Sequence, residues 1–144
     1  MSSFLALDYG LRRTGIAASD PQGRLAFALD THVEGRDGSI LARLAQLIDE
    51  RAVKGLVVGL PLTADGREGD MAVRVRKFAR RLADQFQVEV ILWDERFSSA
   101  EADRWLAGGR GSSKEDRDAV AAQIILQSYL DSRQAGSGPP REPS

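Results

Sequence analysis

The 144 residues include no cysteine and only one histidine, His32. Disulfides are therefore excluded, and a zinc site has no sulfur ligands and at most one imidazole. No segment approaches the roughly eighteen consecutive apolar residues of a membrane span. With 42% hydrophobic and 28% charged residues, the composition is that of an ordinary globular protein able to bury a core. Met1 to Phe4 lacks the basic-then-apolar pattern of a signal peptide, which together with the missing cysteines points to the cytoplasm and to no membrane partner. An excess of positive charge is also missing. The formal net charge is -1, so total charge gives no argument for a nucleic-acid partner. Its make-up says more: Lys54, Lys77 and Lys114 are the only lysines, leaving 17 of the 20 basic residues as arginine. The planar guanidinium fork suits bidentate phosphate contacts, although a GC-rich genome would favour arginine too.

The length fits one domain, expected over residues 1–134, with a Pro-, Gly- and Ser-rich tail over 135–144 that buries nothing and is expected to be disordered. Phe4 to Asp8 reads as a central strand ending in a carboxylate, with Tyr9-Gly10 as a turn. Gly15 to Asp20 and Leu25 to Leu29 flank the turn cluster Asp20-Pro21-Gln22-Gly23 and read as antiparallel strands. Ile40, Leu41, Leu44, Leu47 and Ile48 recur at helical spacing, with Lys54-Gly55 expected as the stop. Leu56 to Gly59 suits a buried strand, Thr63 to Asp70 a flexible loop, and Met71 to Phe86 a second helix. Val88 to Trp93 is a fifth strand ending at Asp94-Glu95. Ser98 to Glu101 has the capping-box pattern of a helix that would carry Trp105. Gly108 to Ser113 reads as mobile, and Ala119 to Leu130 marks a last helix with Asp118 in its first turns. The order implies an α/β fold: a five-stranded mixed sheet with flanking helices, an antiparallel meander followed by parallel crossovers.

Asp8 and Glu95 fall at the carboxyl ends of two such strands, the edge where open α/β sheets bind ligands. Asp118 sits early in a helix whose apolar face must pack on that sheet, so three carboxylates can converge. Crowded like charges raise one another's pKa unless a cation neutralises them. Oxygen-only ligands suit Mg²⁺ or Mn²⁺, expected as two ions roughly 4 Å apart, with phosphodiester hydrolysis as the natural reaction. Each acid also has an ordinary reading: Asp8 as a turn initiator, Glu95 as a solvated salt-bridged turn, Asp118 as a complement to its helix amino-terminus. The basic residues divide in the same way. Arg12, Arg13 and Arg96 lie close enough in sequence to the acids to hold a phosphodiester. The run Arg74, Arg76, Lys77, Arg80 and Arg81 either tracks a nucleic-acid backbone or is a solvated helix face. Trp93 and Trp105 read as core.

The stretches Asp8-Tyr9-Gly10-Leu11-Arg12-Arg13-Thr14-Gly15-Ile16-Ala17, Gly59-Leu60-Pro61-Leu62 with Gly66, Trp93-Asp94-Glu95-Arg96-Phe97-Ser98, and Asp118-Ala119-Val120-Ala121-Ala122 with Ile124-Ile125-Leu126 resemble, in order, the YqgF family, also called RuvX-like. The resemblance covers nearly everything from Phe4 to Asp131. It implies a ribonuclease H-like fold and a bacterial cytoplasmic nuclease that processes the 5′ end of pre-16S ribosomal RNA. Relatives have also been described as Holliday junction resolvases. By motif, Asp8, Glu95 and Asp118 match the acidic active-site positions, Arg13 the basic position after the first turn, and Lys114 a position where relatives often carry lysine. Thr14 stands where an aliphatic residue is usual, and Phe97 where leucine is common.

Three other readings remain open at this point. A resolvase cutting four-way DNA junctions would act as a homodimer, whereas an RNA processor can be a monomer. An actin-like ATPase needs two facing domains, for which the chain is too short. A non-catalytic nucleic-acid binding module would have kept the fold and lost the chemistry, against which stands the presence of all three acids.

Overall fold

The computed structural model describes residues 3–63, 65–95 and 114–135. Its central strand is β1 (Ser3–Asp8), which pairs antiparallel with β2 (Arg13–Ser19) and parallel with β4 (Val53–Leu60). Beyond them, β3 (Ala26–Val33) lies antiparallel to β2, and β5 (Glu89–Asp94) parallel to β4, giving the order β3-β2-β1-β4-β5. This is the mixed sheet expected from the sequence. The meander strands run further than their apolar runs suggested: Arg13 pairs with Val33 and Thr14 with His32, so backbone pairing carries β3 through Asp30 and Thr31.

Side chains alternate across the sheet, and both faces are covered. Leu5, Leu7, Ile16, Leu56, Val58, Leu60 and Leu92 point to one side. There they meet α1 (Ile40–Arg51) through Leu44 and Leu47, and α2 (Asp70–Gln85) through Val75, Phe78 and Leu82. Phe4, Ala6, Ala17, Val57, Ile91 and Trp93 point to the other, under α3 (Lys114–Ala135), which contributes Ala122, Ile125, Leu126, Tyr129 and Leu130. Trp93 is core, as expected, and its ring N–H donates to Ser128 Oγ at 3.2 Å.

One sequence expectation needs correction. Lys54-Gly55 does not stop α1. Ser39 caps the helix through a bond from the Ala42 N–H, and the chain turns at Ala52 in a left-handed conformation (φ 50°). Gly55 lies inside β4, where a Cβ would press on the Phe4 ring at 2.8 Å. In the stretch expected as a flexible loop, Leu62 bridges to Glu68, the Thr63 N–H reaches the Arg67 carbonyl at 2.9 Å, and Gly66 supplies the positive φ of a turn. The helix expected from Ser98, with Trp105, the stretch 108–113 and the tail 136–144 lie outside the described residues.

Glycine at two positions on the α3 side of the sheet lets the helix approach closely there. A Cβ on Gly15 would run into the backbone carbonyl of Asp118, and one on Gly59 would lie 2.7 Å from Ile125 Cδ1. On β3, Gln127 Oε1 accepts the Ala26 N–H at 2.9 Å and Gln123 donates to the Ala26 carbonyl at 3.1 Å, tying the helix to that strand. Gly15→Ala must therefore push the start of α3 off the sheet. We expect a loss of about 2 to 3 kcal/mol in urea unfolding, the scale of an overpacked core; wild-type stability in this variant would contradict the packing described.

Candidate active site

Strand alternation decides which acids can meet. Phe4 and Ala6 face α3, so Asp8, at the end of the same strand, faces it too. Ile91 and Trp93 set the same parity on β5, and Glu95, directly after the strand, continues it. Its side chain crosses to β4, with Oε1 only 2.6 Å from where a Gly59 Cβ would stand. The two half-buried acids share a side-chain hydrogen bond. Burial, then the charge of Asp118, pushes Asp8 up from 3.8 to about 6, while the bond to Glu95 opposes the rise. Burial, then the charge of Asp8 and their hydrogen bond, with Asp94 adding to it, pushes Glu95 up from 4.5 to about 8. Without a cation, Glu95 keeps its proton at neutral pH and donates it to the Asp8 carboxylate.

Asp118 arrives from α3, whose backbone rests on β2 at Gly15. Its charge is felt at Asp8, but its own partner is Arg13, whose Nε donates to Asp118 Oδ2 at 2.9 Å. Arg13 opens β2 with the parity of Gly15 and Ala17 and so projects to the α3 side. Among the described residues, no three acidic or imidazole side chains stand close enough together to hold a metal ion. The structure thus brings Asp8 and Glu95 into contact and leaves Asp118 beside them, engaged by Arg13.

Asp8, Gly10, Arg12, Arg13 and Asp118 line a cleft of about 370 Å³. Arg12 is exposed at its rim, and Lys114 opens α3; Arg96 lies outside the described residues. A larger hollow of about 680 Å³ sits beside β3, but its ionic groups satisfy one another: Arg43 with Asp30 at 2.8 Å, Arg36 with Asp37 at 3.0 Å. We therefore assign the chemistry to the smaller cleft. Sequence reasoning missed two supports of that cleft. Tyr9 stacks on Phe78 of α2, with ring centroids 4.0 Å apart, and fixes the turn after Asp8. Gly59 makes room for the Glu95 side chain; a glycine inside a strand pattern is the signal that marks such a close approach.

A sequence model described as "RuvX: Holliday junction resolvase" matches residues 2–132. The chain belongs to the RuvX family. A relative from Synechocystis, named "Putative pre-16S rRNA nuclease", is 42% identical over 134 residues, covering 91% of this chain and 88% of its own. One of the same name from Koribacter versatilis is 40% identical over 132 residues, covering 90% and 86%. In three dimensions the chain is similar to RuvC of Thermus thermophilus in complex with a Holliday junction substrate. The TM-score is 0.62 at 12% identity, over 97% of this chain and 100% of that one. At that identity the likeness concerns the fold, which is ribonuclease H-like, as the motif resemblance implied.

Both site pKa values are raised above their ordinary 3.8 and 4.5, so the Asp8–Glu95 pair favours the native state most when protonated. That contribution is lost as pH rises through about 6 and then about 8. For this RuvX-family protein in a chelator, we expect the melting temperature to fall between about pH 5 and pH 8.5, and Glu95→Gln to flatten the fall. Identical pH profiles for the two proteins would refute the coupling.

Proposed function

We propose that this protein is a divalent-metal-dependent nuclease that hydrolyses a phosphodiester bond in structured RNA. The substrate we assign is the 5′ end of the 16S ribosomal RNA precursor, and the setting is the cytoplasm. Family membership and the name carried by relatives at 42% and 40% identity support the substrate. The observation that carries the chemistry is the contact between Asp8 and Glu95, two acids crowded until both are hard to ionise, with Asp118 adjacent.

That donor set fits Mg²⁺ or Mn²⁺: it is all oxygen, Asp8 and Asp118 line the cleft, and crowded carboxylates of this kind are what a hard cation neutralises. Asp8, Glu95 and Asp118 would hold two such ions, which, when bound, supply an activated water and stabilise the departing oxygen. The remaining work falls to the chain itself. To serve as ligands, Asp8 and Glu95 would release the proton they share to solvent. Arg12 and Arg13 line the cleft as partners for the scissile phosphodiester, with Arg96 and Lys114 assigned to the same role by their motif positions. Arg13 is contested: while it grips Asp118, it competes with any cation for that carboxylate. Replacing it as Arg13→Gln should tighten Mn²⁺ binding by roughly tenfold in calorimetric titration, since a positive charge beside the site is removed. Unchanged or weaker binding would mean that the pair orders Asp118 and does not compete for it.

A second reading is favoured by the family's description as a Holliday junction resolvase. Two symmetric cuts in a four-way junction require two active sites and hence a homodimer. Cleavage assays with Mg²⁺ or Mn²⁺ on a 5′-extended precursor RNA and on a four-way DNA junction separate the readings. We expect the RNA to be cut, and Asp8→Asn to lower the rate by on the order of a thousandfold or more while leaving the fold intact. Cleavage of the junction alone selects the resolvase, and cleavage of neither defeats both.

A further inference from the structure

Several arginines are paired with acids among the described residues: Arg13 with Asp118, Arg36 with Asp37, Arg43 with Asp30, Arg67 with Asp65 and Arg76 with Glu68. Other exposed cations make no such pair, and three of them, Arg74, Lys77 and Arg81, share one helix. All three are exposed on α2 and make no ion pair among the described residues. Their spacing of three and four places them on one flank of the helix, the flank adjoining Phe78. Phe78 is the residue that stacks on Tyr9, so the stripe lies on the side of α2 that holds the turn after Asp8.

Arg81 also lines a second hollow, about 240 Å³, together with Tyr9, Gly10 and Leu11. The same three turn residues wall the catalytic cleft. Only this turn separates the two depressions, and Leu11 stands on it 60% exposed, an apolar surface over which a nucleotide base can lie. Glu34 lines the second hollow, but its carboxylate is occupied: Oε1 accepts the Ile40 N–H at 3.0 Å and lies 3.4 Å from His32 Nε2. Arg81 makes no ion pair with it, or with any other acid among the described residues.

We infer that Arg74, Lys77 and Arg81 form a track for the RNA backbone, binding phosphates of the strand that leaves the cleft over Leu11. Along the helix the stripe spans about 10 Å, the rise of about three nucleotides of one strand. Such contacts position the substrate without reading its bases. The inference rests on the nuclease reading given above and adds to it the direction in which bound RNA extends.

The test compares two charge-matched triple variants in an Asp8→Asn background: Arg74→Gln/Lys77→Gln/Arg81→Gln, and Arg24→Gln/Arg51→Gln/Lys54→Gln on exposed positions away from the stripe. Affinity for the 5′-extended precursor RNA is measured by fluorescence anisotropy as a function of salt, and parallel assays of the Asp8-containing enzyme record cleavage. The stripe variant should bind on the order of tenfold to a hundredfold more weakly at about 0.1 M salt, with a log–log salt slope shallower by about two. Arg81→Gln alone should reduce the slope by about one, and the control triple far less. Equal slopes for the two triple variants, in an enzyme that cleaves the RNA, would overturn the track and leave the nuclease reading standing. An enzyme that neither binds nor cleaves the RNA would overturn both.

Discussion

The closeness of α3 to the sheet is the constraint from which the site follows. Small residues on that face, Ala6, Ala17, Gly15 and Gly59 among them, let the helix settle until its backbone at Asp118 rests on β2. Anything larger at Gly15 would lift the helix and carry the third acid away. Asp118 stands beside Asp8, far from it along the chain, because at Gly15 strand and helix backbones meet with no side chain between them.

Packing of that kind creates an electrostatic problem. Asp8 and Glu95 lie on the same side of neighbouring parts of the sheet edge, partly removed from water, and within reach of Asp118. The free protein relieves the repulsion in two ways: Glu95 holds a proton and shares it with Asp8, and Arg13 neutralises Asp118 at 2.9 Å. Each remedy is reversible. In the function we propose, a divalent cation would replace the proton, and a phosphodiester would be an alternative partner for the guanidinium. Stability given up to hold like charges together is what a site for hard cations requires, and it is localised at one cleft instead of spread over the surface.

Much of this was legible in the chain. Apolar runs bounded by turn residues gave five strands in the observed order, and the acids at the ends of β1 and β5 could be placed at the carboxyl edge from strand direction alone. Parity was harder, because it depends on where a strand begins: the register Asp8 opposite Gly15 fixes the face, and no local pattern states it. The stretch from Thr63 to Asp70 read as a loop from its polar composition, which does not state the bridge from Leu62 to Glu68 that shapes it. Lys54-Gly55 looked like a helix stop because glycine commonly ends helices; here the ending is made by Ala52, and Gly55 serves the Phe4 ring. The pairing of Arg13 with Asp118 was beyond reach, since it joins two distant positions that the sequence could only assign to separate roles.

What the account claims at its centre is that these three carboxylates act together as ligands. A crystal structure determined with Mn²⁺, read through its anomalous scattering, tests this directly. Metal density held by Asp8, Glu95 and Asp118 is expected, with Arg13 released from Asp118. Manganese bound elsewhere, or Asp118 still held by Arg13 while the other two acids remain hydrogen-bonded to each other at saturating metal, would contradict it.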